Sequence, residues 1–243
     1  MGFWSSVGSA ISTGISAVCS AATSVCSTAV SVCSSIGRGV GNIVSNIGPK
    51  LMMIVGPTSK LSTLLAVADA VVQLYSILKP DEKIQDIGDK AIQASEEGIS
   101  MDKFDDFDEY MASLRNFELD PERSEKIDEL TKQLTGIAVI TQGLAEKLNI
   151  DGIALGNVWT LPALNAQVFT AERIKAILDN STNVGNVVKY FEKDLTPQAA
   201  LHTEKELVSA EKQLSPDKSD TEIYKLLDAT RDDVSKKSEQ ILN

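Results

Sequence analysis

Apolar side chains recur near the start of the chain in steps of three and four, and no residue before Arg38 is charged. A seven-residue unit containing Val-Cys-Ser occurs three times, beginning at Ala17, Ser24 and Ser31. This is the spacing of a helix that packs along one side against another helix. The residues on the stripe are Ile11, Ile15, Val18, Ala22, Val25, Ala29, Val32 and Ile36. We therefore predict a helix over residues 3–36 whose stripe is an oligomer seam or a membrane-inserting face.

The opposite face of this predicted helix carries hydroxyl groups. Nine of the 22 residues from Ile15 to Ile36 are serine or threonine. A soluble surface helix normally carries charge on its outer face, whereas alcohols are tolerated in water, in a protein seam and between helices in a membrane. As a helix the stretch spans about 33 Å, close to the ~30 Å of bilayer hydrocarbon. Membrane insertion and permanent packing on protein are therefore both open.

A second apolar segment follows after a run of glycines. The glycines and Pro49 in residues 37–50 predict a hinge or turn, and Lys60–Lys79 predicts an apolar helix that Pro80 ends. Asp69 lies near its middle and is costly to bury, which makes it a candidate pore carboxylate. The alternative is an ordinary ion pair with Lys60, Lys79 or Arg38. The hinge would let the two predicted helices form an antiparallel hairpin.

Aromatic and cysteine residues near the start of the chain have simple interpretations. Phe3 and Trp4 form an aromatic pair suited to a membrane interface, and we predict that they are a membrane anchor. Cys19, Cys26 and Cys33 would lie about 10.5 Å apart on one helix, too far for a disulfide. Their spacing is not that of a zinc site. We interpret them as small apolar fillers beside the seam, with disulfide pairing between chains of an oligomer as the alternative.

The charge of the chain is distributed unevenly. Residues 1–80 carry four basic and one acidic side chain, a net charge of +3, whereas residues 81–243 carry 19 basic and 33 acidic side chains, a net charge of −14. Hydrophobic residues make up 43% of the chain, aromatic residues only 5%, and no segment alternates convincingly with a period of two. We therefore predict an all-α fold: an apolar helical hairpin in residues 1–80 joined to an acidic, soluble helical bundle in residues 81–243. The acidic excess argues against a nucleic-acid partner.

Helix signals after residue 80 are of the ordinary kind. Asp120, Thr170 and Thr196 are predicted N-caps, and Ser219–Glu222 is a predicted capping box. The predicted helices cover residues 82–95, 101–115, 121–149, 161–168, 171–179, 184–194, 197–214 and 220 onward, with 150–160 as a loop.

No set of residues nominates a catalytic or metal centre. A glycine-rich phosphate loop, a zinc-binding HExxH motif and a nucleophile elbow are absent from the sequence. The sole histidine, His202, follows alanines and a leucine in a predicted helix. The acidic run Met101–Tyr110 lacks the glycine and terminal glutamate of a calcium loop, and its aromatics recur at helical spacing. We predict a protein without enzymatic activity, cofactor or metal.

An apolar helical hairpin joined to a soluble helical domain resembles the layout of pore-forming effectors, both the colicin-type toxins and the small pore-forming cargo of bacterial contractile secretion systems. The resemblance lies in the layout of residues 1–80 and includes no diagnostic motif. It implies synthesis in the cytoplasm without a signal peptide, export or injection, and insertion into a target lipid bilayer with self-association. It also implies a carrier, chaperone or immunity protein as a partner.

A second resemblance, to phage ejection proteins, implies packaging in a virion. The main expectation is thus a membrane-inserting, pore-forming effector that oligomerises through its N-terminal repeat. The alternative is a phage ejection or virion structural protein that forms a coiled-coil assembly.

Overall fold

A computed structural model describes residues 18–55 and 61–242, with side chains over 24–55 and 61–241. Throughout these ranges the regular secondary structure is helical and no strand occurs. The all-α prediction is therefore confirmed. In chain order the helices are α1 (Val18–Ile36), α2 (Arg38–Val55), α3 (Leu61–Leu74), α4 (Ile84–Glu96), a 3₁₀ turn (Met101–Lys103), α5 (Phe107–Asn116), α6 (Pro121–Lys126), α7 (Glu129–Leu148), α8 (Gly152–Val158), α9 (Thr160–Asn165), α10 (Ala171–Asn180), α11 (Val184–Phe191), α12 (Pro197–Leu214) and α13 (Asp220–Leu242).

Most of the segment predicted as a hinge is helix α2. Gly37 alone separates α1 from α2, and helical hydrogen bonds meet at it: Gly37 N donates to Cys33 O at 3.1 Å and Gly41 N donates to Gly37 O at 2.9 Å. The Asp102 carboxylate accepts the first N–H of α2, from Arg38, at 3.2 Å. The predicted pairing is therefore wrong: α1 forms a hairpin with α2, which occupies the predicted hinge, rather than with the segment at Lys60–Lys79.

Helix α3 is shorter than predicted, ending at Leu74 instead of at Pro80. Ser76 adopts the left-handed conformation, with φ of 58°, which stops a right-handed helix. The chain then turns into α4, whose first residue is Ile84. The residue that ends α3 therefore lies four positions before Pro80, which was predicted to end it.

Helices α4 and α7 cross with their backbones in contact. A Cβ atom added to Gly136 of α7 would lie 2.8 Å from the carbonyl carbon of Ile84, and one added to Gly88 of α4 would lie 2.9 Å from that of Lys132. Any side chain at either glycine would therefore force the helices apart. Helix α1 packs on both α4 and α7, so this crossing forms the surface on which α1 rests.

Local capping explains most boundaries in the second half. Thr170 and Thr196 accept the backbone N–H groups three residues on, each at 3.4 Å. The capping box also forms, because Ser219 N donates to the Glu222 carboxylate at 2.9 Å and Glu222 N donates to the Ser219 hydroxyl at 3.3 Å. These predicted helix starts are confirmed.

Three helix boundaries predicted after residue 80 are wrong. In each case an aspartate that was not predicted as an N-cap begins the helix. Asp128 accepts Thr131 N at 3.0 Å and begins α7, which divides the predicted helix 121–149 in two. Asp151 accepts Ala154 N at 2.8 Å and begins α8 inside the predicted loop 150–160. Asp106 accepts Glu109 N at 2.9 Å, so α5 begins only at Phe107 rather than near residue 101.

One cluster of buried apolar residues extends from α1 to α13. Its largest fully buried side chains are Trp159, Tyr110, Tyr190, Phe169 and Phe191. Helix α2 lies deep in it, with eight large aliphatic side chains buried: Val40, Ile43, Val44, Ile47, Leu51, Met52, Ile54 and Val55. The division of the chain at residue 80 stays a prediction, and the buried residues on both sides of it belong to the same cluster.

Candidate functional site

The candidate site is helix α1 with the surface that holds it, because the function predicted from the sequence depends on this helix. The inner face of α1 consists of Cys26, Ala29, Cys33 and Ile36, all buried. These residues follow steps of three, four and three, so they form one helical stripe. The stripe packs on α2, α4 and α7 of the same chain.

The observed stripe is displaced by one position from part of the predicted one. Ala29 and Ile36 are buried as predicted, whereas Val25 and Val32 are only partly buried and pack at its edge. The cysteines assigned to the edge occupy the centre instead. Val18 and Ala22 belong to α1 but their side chains lie outside the described residues, as do Phe3, Trp4, Ile11 and Ile15.

Over residues 24–36, where side chains are described, the outer face of α1 carries only alcohols. We use this name for the exposed residues Ser24, Ser27, Thr28, Ser31, Ser34 and Ser35. Two hydroxyls donate to carbonyls of their own helix: Ser27 to Ser24 at 2.8 Å and Ser34 to Val30 at 2.7 Å. A hydroxyl bonded in this way keeps its hydrogen bond when water is removed. The outer face is thus uncharged and partly satisfied from within.

Two polar contacts fasten α1 to the surface beneath it. The Cys33 thiol donates to the Thr135 hydroxyl of α7 at 3.5 Å, and the Ser35 hydroxyl donates to that of Ser95 at the end of α4, at 3.1 Å. Burial raises the pKa of Cys33 to about 12, so little thiolate forms near neutral pH while α1 is packed in this way. Cys33 is therefore a packing residue in this arrangement.

Lys50 is a charged residue of α2 inside the bundle. Its Nζ atom donates to the side-chain oxygens of Asn46 at 2.9 Å and of Asn157, in α8, at 2.5 Å. Burial lowers the pKa of Lys50 to about 8, and Glu192 opposes that shift. These contacts tie α2 to α8 by a polar anchor in addition to its apolar packing.

Asp69, the candidate pore carboxylate, has a structural contact in this fold. Its carboxylate accepts the N–H of Ile84, the first residue of α4, at 2.8 Å, and Lys83 Nζ lies 4.0 Å away. Burial raises the pKa of Asp69, although the Ile84 hydrogen bond and Lys83 oppose the shift. Asp69 therefore caps α4 from a neighbouring helix. Its ion-pair partner is Lys83, which lies after residue 80, whereas the predicted partners lay before it.

Several polar networks that join distant parts of the chain were not predicted from the sequence. Lys132 Nζ lies 2.9 Å from the Asp89 carboxylate and donates to the Ser124 hydroxyl at 2.9 Å, and that hydroxyl also donates to Asp89. Arg173 and Glu211 form a second pair, with Nε to Oε1 at 2.7 Å. No regular spacing relates these partners, so no sequence motif could have shown them.

His202 is exposed, with its Nε2 atom 3.2 Å from the Glu206 carboxylate on the same helix. That carboxylate accepts the backbone N–H of Thr182 at 2.9 Å. Within residues 18–55 and 61–242, no three histidine, cysteine, aspartate or glutamate side chains are grouped so as to hold a metal ion.

No helix in the described part of the chain is both long enough and apolar enough to span a membrane. Comparison with known proteins adds no relative. No protein-family model, curated protein or solved structure matches this chain.

Proposed function

We propose that this chain is a membrane-active protein without enzymatic activity, in which the uncharged N-terminal segment up to Ile36 enters a target bilayer. The helical bundle keeps that segment packed until it reaches the membrane. Copies of the segment then associate in the bilayer to permeabilise it. The proposal rests on the outer face of α1, because an exposed face made only of alcohols is unusual on an otherwise strongly charged protein.

The outer face is suited to leaving water. A polar group moved into an apolar environment without a hydrogen bond costs roughly 2–7 kcal/mol. Hydroxyls that already donate to their own helix avoid much of this cost, as those of Ser27 and Ser34 do. A charged side chain cannot offset its cost of entering lipid with one hydrogen bond to its own helix. The first charged side chain of the protein is Arg38, just past the end of α1.

Helix α1 can leave the bundle at a lower cost than α2, the other helix of the hairpin. A fully buried large aliphatic side chain contributes about 1.5–3 kcal/mol, and α1 buries one such side chain, Ile36, beside an alanine and two cysteines in its described part. Helix α2 buries eight and holds Lys50 through two amide oxygens. Over the described side chains, release of α1 therefore costs less than release of α2.

Dye release from lipid vesicles tests the proposal, with a matched pair of substitutions. Ser27→Asp places a charge on the outer face of α1, where it is solvated in the folded protein and opposed by lipid. Ser209→Asp is the control, because Ser209 is also exposed and its hydroxyl donates to Lys205 O of its own helix at 3.1 Å. Both variants should retain the parent's unfolding free energy within about 0.5 kcal/mol.

We expect the parent and Ser209→Asp chains to release dye, and Ser27→Asp to lose most of that activity. Flotation with vesicles should separate the variants in the same way. Equal release by both variants would contradict entry of α1 into lipid. A parent chain that neither floats with vesicles nor releases dye, at acid or neutral pH, would refute membrane activity. A discrete oligomer in water in that case favours the virion structural alternative.

A further inference from the structure

We propose that the surface beneath α1 also binds the α1 helix of a second copy of this chain, so that two chains exchange their first helices. This inference goes beyond the proposed function, because it names a protein interface and requires no membrane. The partner is fixed by the structure itself, since α1 already occupies the surface in its own chain.

The surface that accepts α1 is defined by α4 and α7. Thr135 of α7 faces the Cys33 thiol at 3.5 Å, and Ser95 at the end of α4 accepts the Ser35 hydroxyl at 3.1 Å. The α4–α7 crossing beneath them is rigid, because its glycines bring the two backbones into contact. An α1 helix from a second chain would make the same contacts at the same atoms.

The connection to α2 makes the exchange geometrically simple. Only Gly37 lies between the helices, and helical hydrogen bonds reach it from both sides. Rotation at this residue would convert the hairpin into one continuous helix over residues 18–55, about 57 Å long. Helix α1 would then project from its own bundle towards a neighbouring one.

Conversion of the hairpin into a continuous helix would also give the first N–H groups of α2 new acceptors. In the hairpin the first N–H groups of α2 lack partners within their own helix, and Asp102 provides an acceptor for that of Arg38. In a continuous helix these groups would donate to the last carbonyls of α1. The buried contacts of Cys26, Ala29, Cys33 and Ile36 would be regained on α2, α4 and α7 of the partner chain, so the two forms differ mainly at the hinge, which is the condition for domain exchange.

A pair of single-cysteine chains tests the exchange directly. Both carry Cys19→Ala and Cys26→Ala; the first keeps Cys33, and the second combines Cys33→Ala with Thr135→Cys. Neither chain can link positions 33 and 135 within itself. When the folded chains are mixed under mild oxidation, we expect a disulfide-linked heterodimer that grows with protein concentration. A heterodimer no more abundant than the self-linked dimers of each chain alone would overturn the proposal.

The hinge gives an independent measurement by sedimentation. A Cβ added at Gly37 would lie 3.1 Å from the Asp102 carboxylate and 3.3 Å from Met101 Cβ in the hairpin, whereas alanine favours a continuous helix. Gly37→Ala should therefore increase the dimer association constant by roughly fivefold or more, and Gly48→Ala, away from the hinge, should not. Monomers of both variants at every concentration would overturn the proposal, whereas vesicle leakage would still report separately on membrane activity.

Discussion

Gly136→Ala should destabilise the bundle by breaking the α4–α7 crossing on which α1 rests. The new Cβ would lie 2.8 Å from the Ile84 carbonyl carbon, whereas carbon atoms in contact prefer about 3.5–4.0 Å. The helices would therefore have to separate by roughly 1 Å. Overpacking of this kind costs about 1–3 kcal/mol, and a backbone carbonyl cannot rotate away, which favours the upper value. Helix propensity returns about 1 kcal/mol, leaving a net loss of about 2 kcal/mol.

Urea unfolding followed by far-UV circular dichroism measures this loss. With a slope of about 2 kcal/mol per molar urea, the unfolding midpoint should fall by about 1 M. Gly48→Ala is the matched control, because its Cβ would meet Cys26 Sγ and Val44 Cγ2 at an ordinary 3.7 Å. Helix propensity favours alanine by about 0.5–1 kcal/mol, but the ring of Pro49 crowds a Cβ on the residue before it, so that variant should change stability much less than Gly136→Ala. If Gly136→Ala is as stable as the parent, the backbone-on-backbone crossing is refuted.

Three further substitutions test the electrostatics, each by urea midpoints measured across pH. Burial raises the pKa of Asp69, so its contribution to stability is complete below its unfolded pKa and declines as pH rises through the folded one. Asp69→Asn keeps an acceptor for Ile84 N and should be more stable than the parent at neutral pH; equal or lower stability there would contradict this. Hydrogen bonding from Arg115 lowers the pKa of Glu82, so that stabilisation exists above the unfolded pKa and is lost as pH falls through the folded one. Arg115→Met should cost about 1–3 kcal/mol at neutral pH, and the difference should shrink in acid, whereas a constant difference would argue against the pairing. Burial lowers the pKa of Lys50 to about 8, so the parent should gain stability from about pH 8 to its ordinary pKa near 10.4. Lys50→Met should remove that gain, and an unchanged rise would contradict the assignment.

Helix starts could be predicted from the sequence where one side chain bonds the backbone a few residues away. Thr170, Thr196 and the Ser219–Glu222 pair meet this condition, and the structure forms all three caps. Asp128 and Asp151 act by the same local chemistry, but Asp128 stands in a charged stretch that is typical of a continuous helix and Asp151 stands beside Gly152 in a segment predicted as a loop. Their capping role could have been considered from the sequence, and its omission explains the missed boundaries.

The helix α2 could not be recognised from local pattern because glycine has two uses. Gly39 and Gly41 read as turn signals, yet both lie within α2 where neighbours approach closely. A Cβ on Gly41 would lie 3.0 Å from Ser34 Cα, and one on Gly39 would lie 3.0 Å from the side-chain amide carbon of Gln142. Whether a glycine bends the chain or admits a neighbour depends on tertiary packing, which the sequence pattern does not contain.

The stripe of α1 was ambiguous for a related reason. Val25 and Val32 share the seven-residue spacing with Cys26 and Cys33, so either set could face inward. Side-chain size favoured valine, but the inner face sits against Thr135 of α7, where the smaller cysteine makes the contact. The role of Asp69 was hidden differently, because its acceptor role depends on where the chain brings the start of α4.

Disulfide locking of α1 tests the central claim most directly, because it asks whether this helix must leave the bundle to act. Thr135→Cys in a chain lacking the other two N-terminal cysteines would place a second thiol beside Cys33, whose sulfur now lies 3.5 Å from the Thr135 hydroxyl. The monomeric chain, isolated after oxidation, is compared with the same chain after reduction in the vesicle dye-release assay. We predict that the oxidised chain is inactive and that reduction restores release to the level of the parent. Equal release by the oxidised and reduced chains would contradict the account.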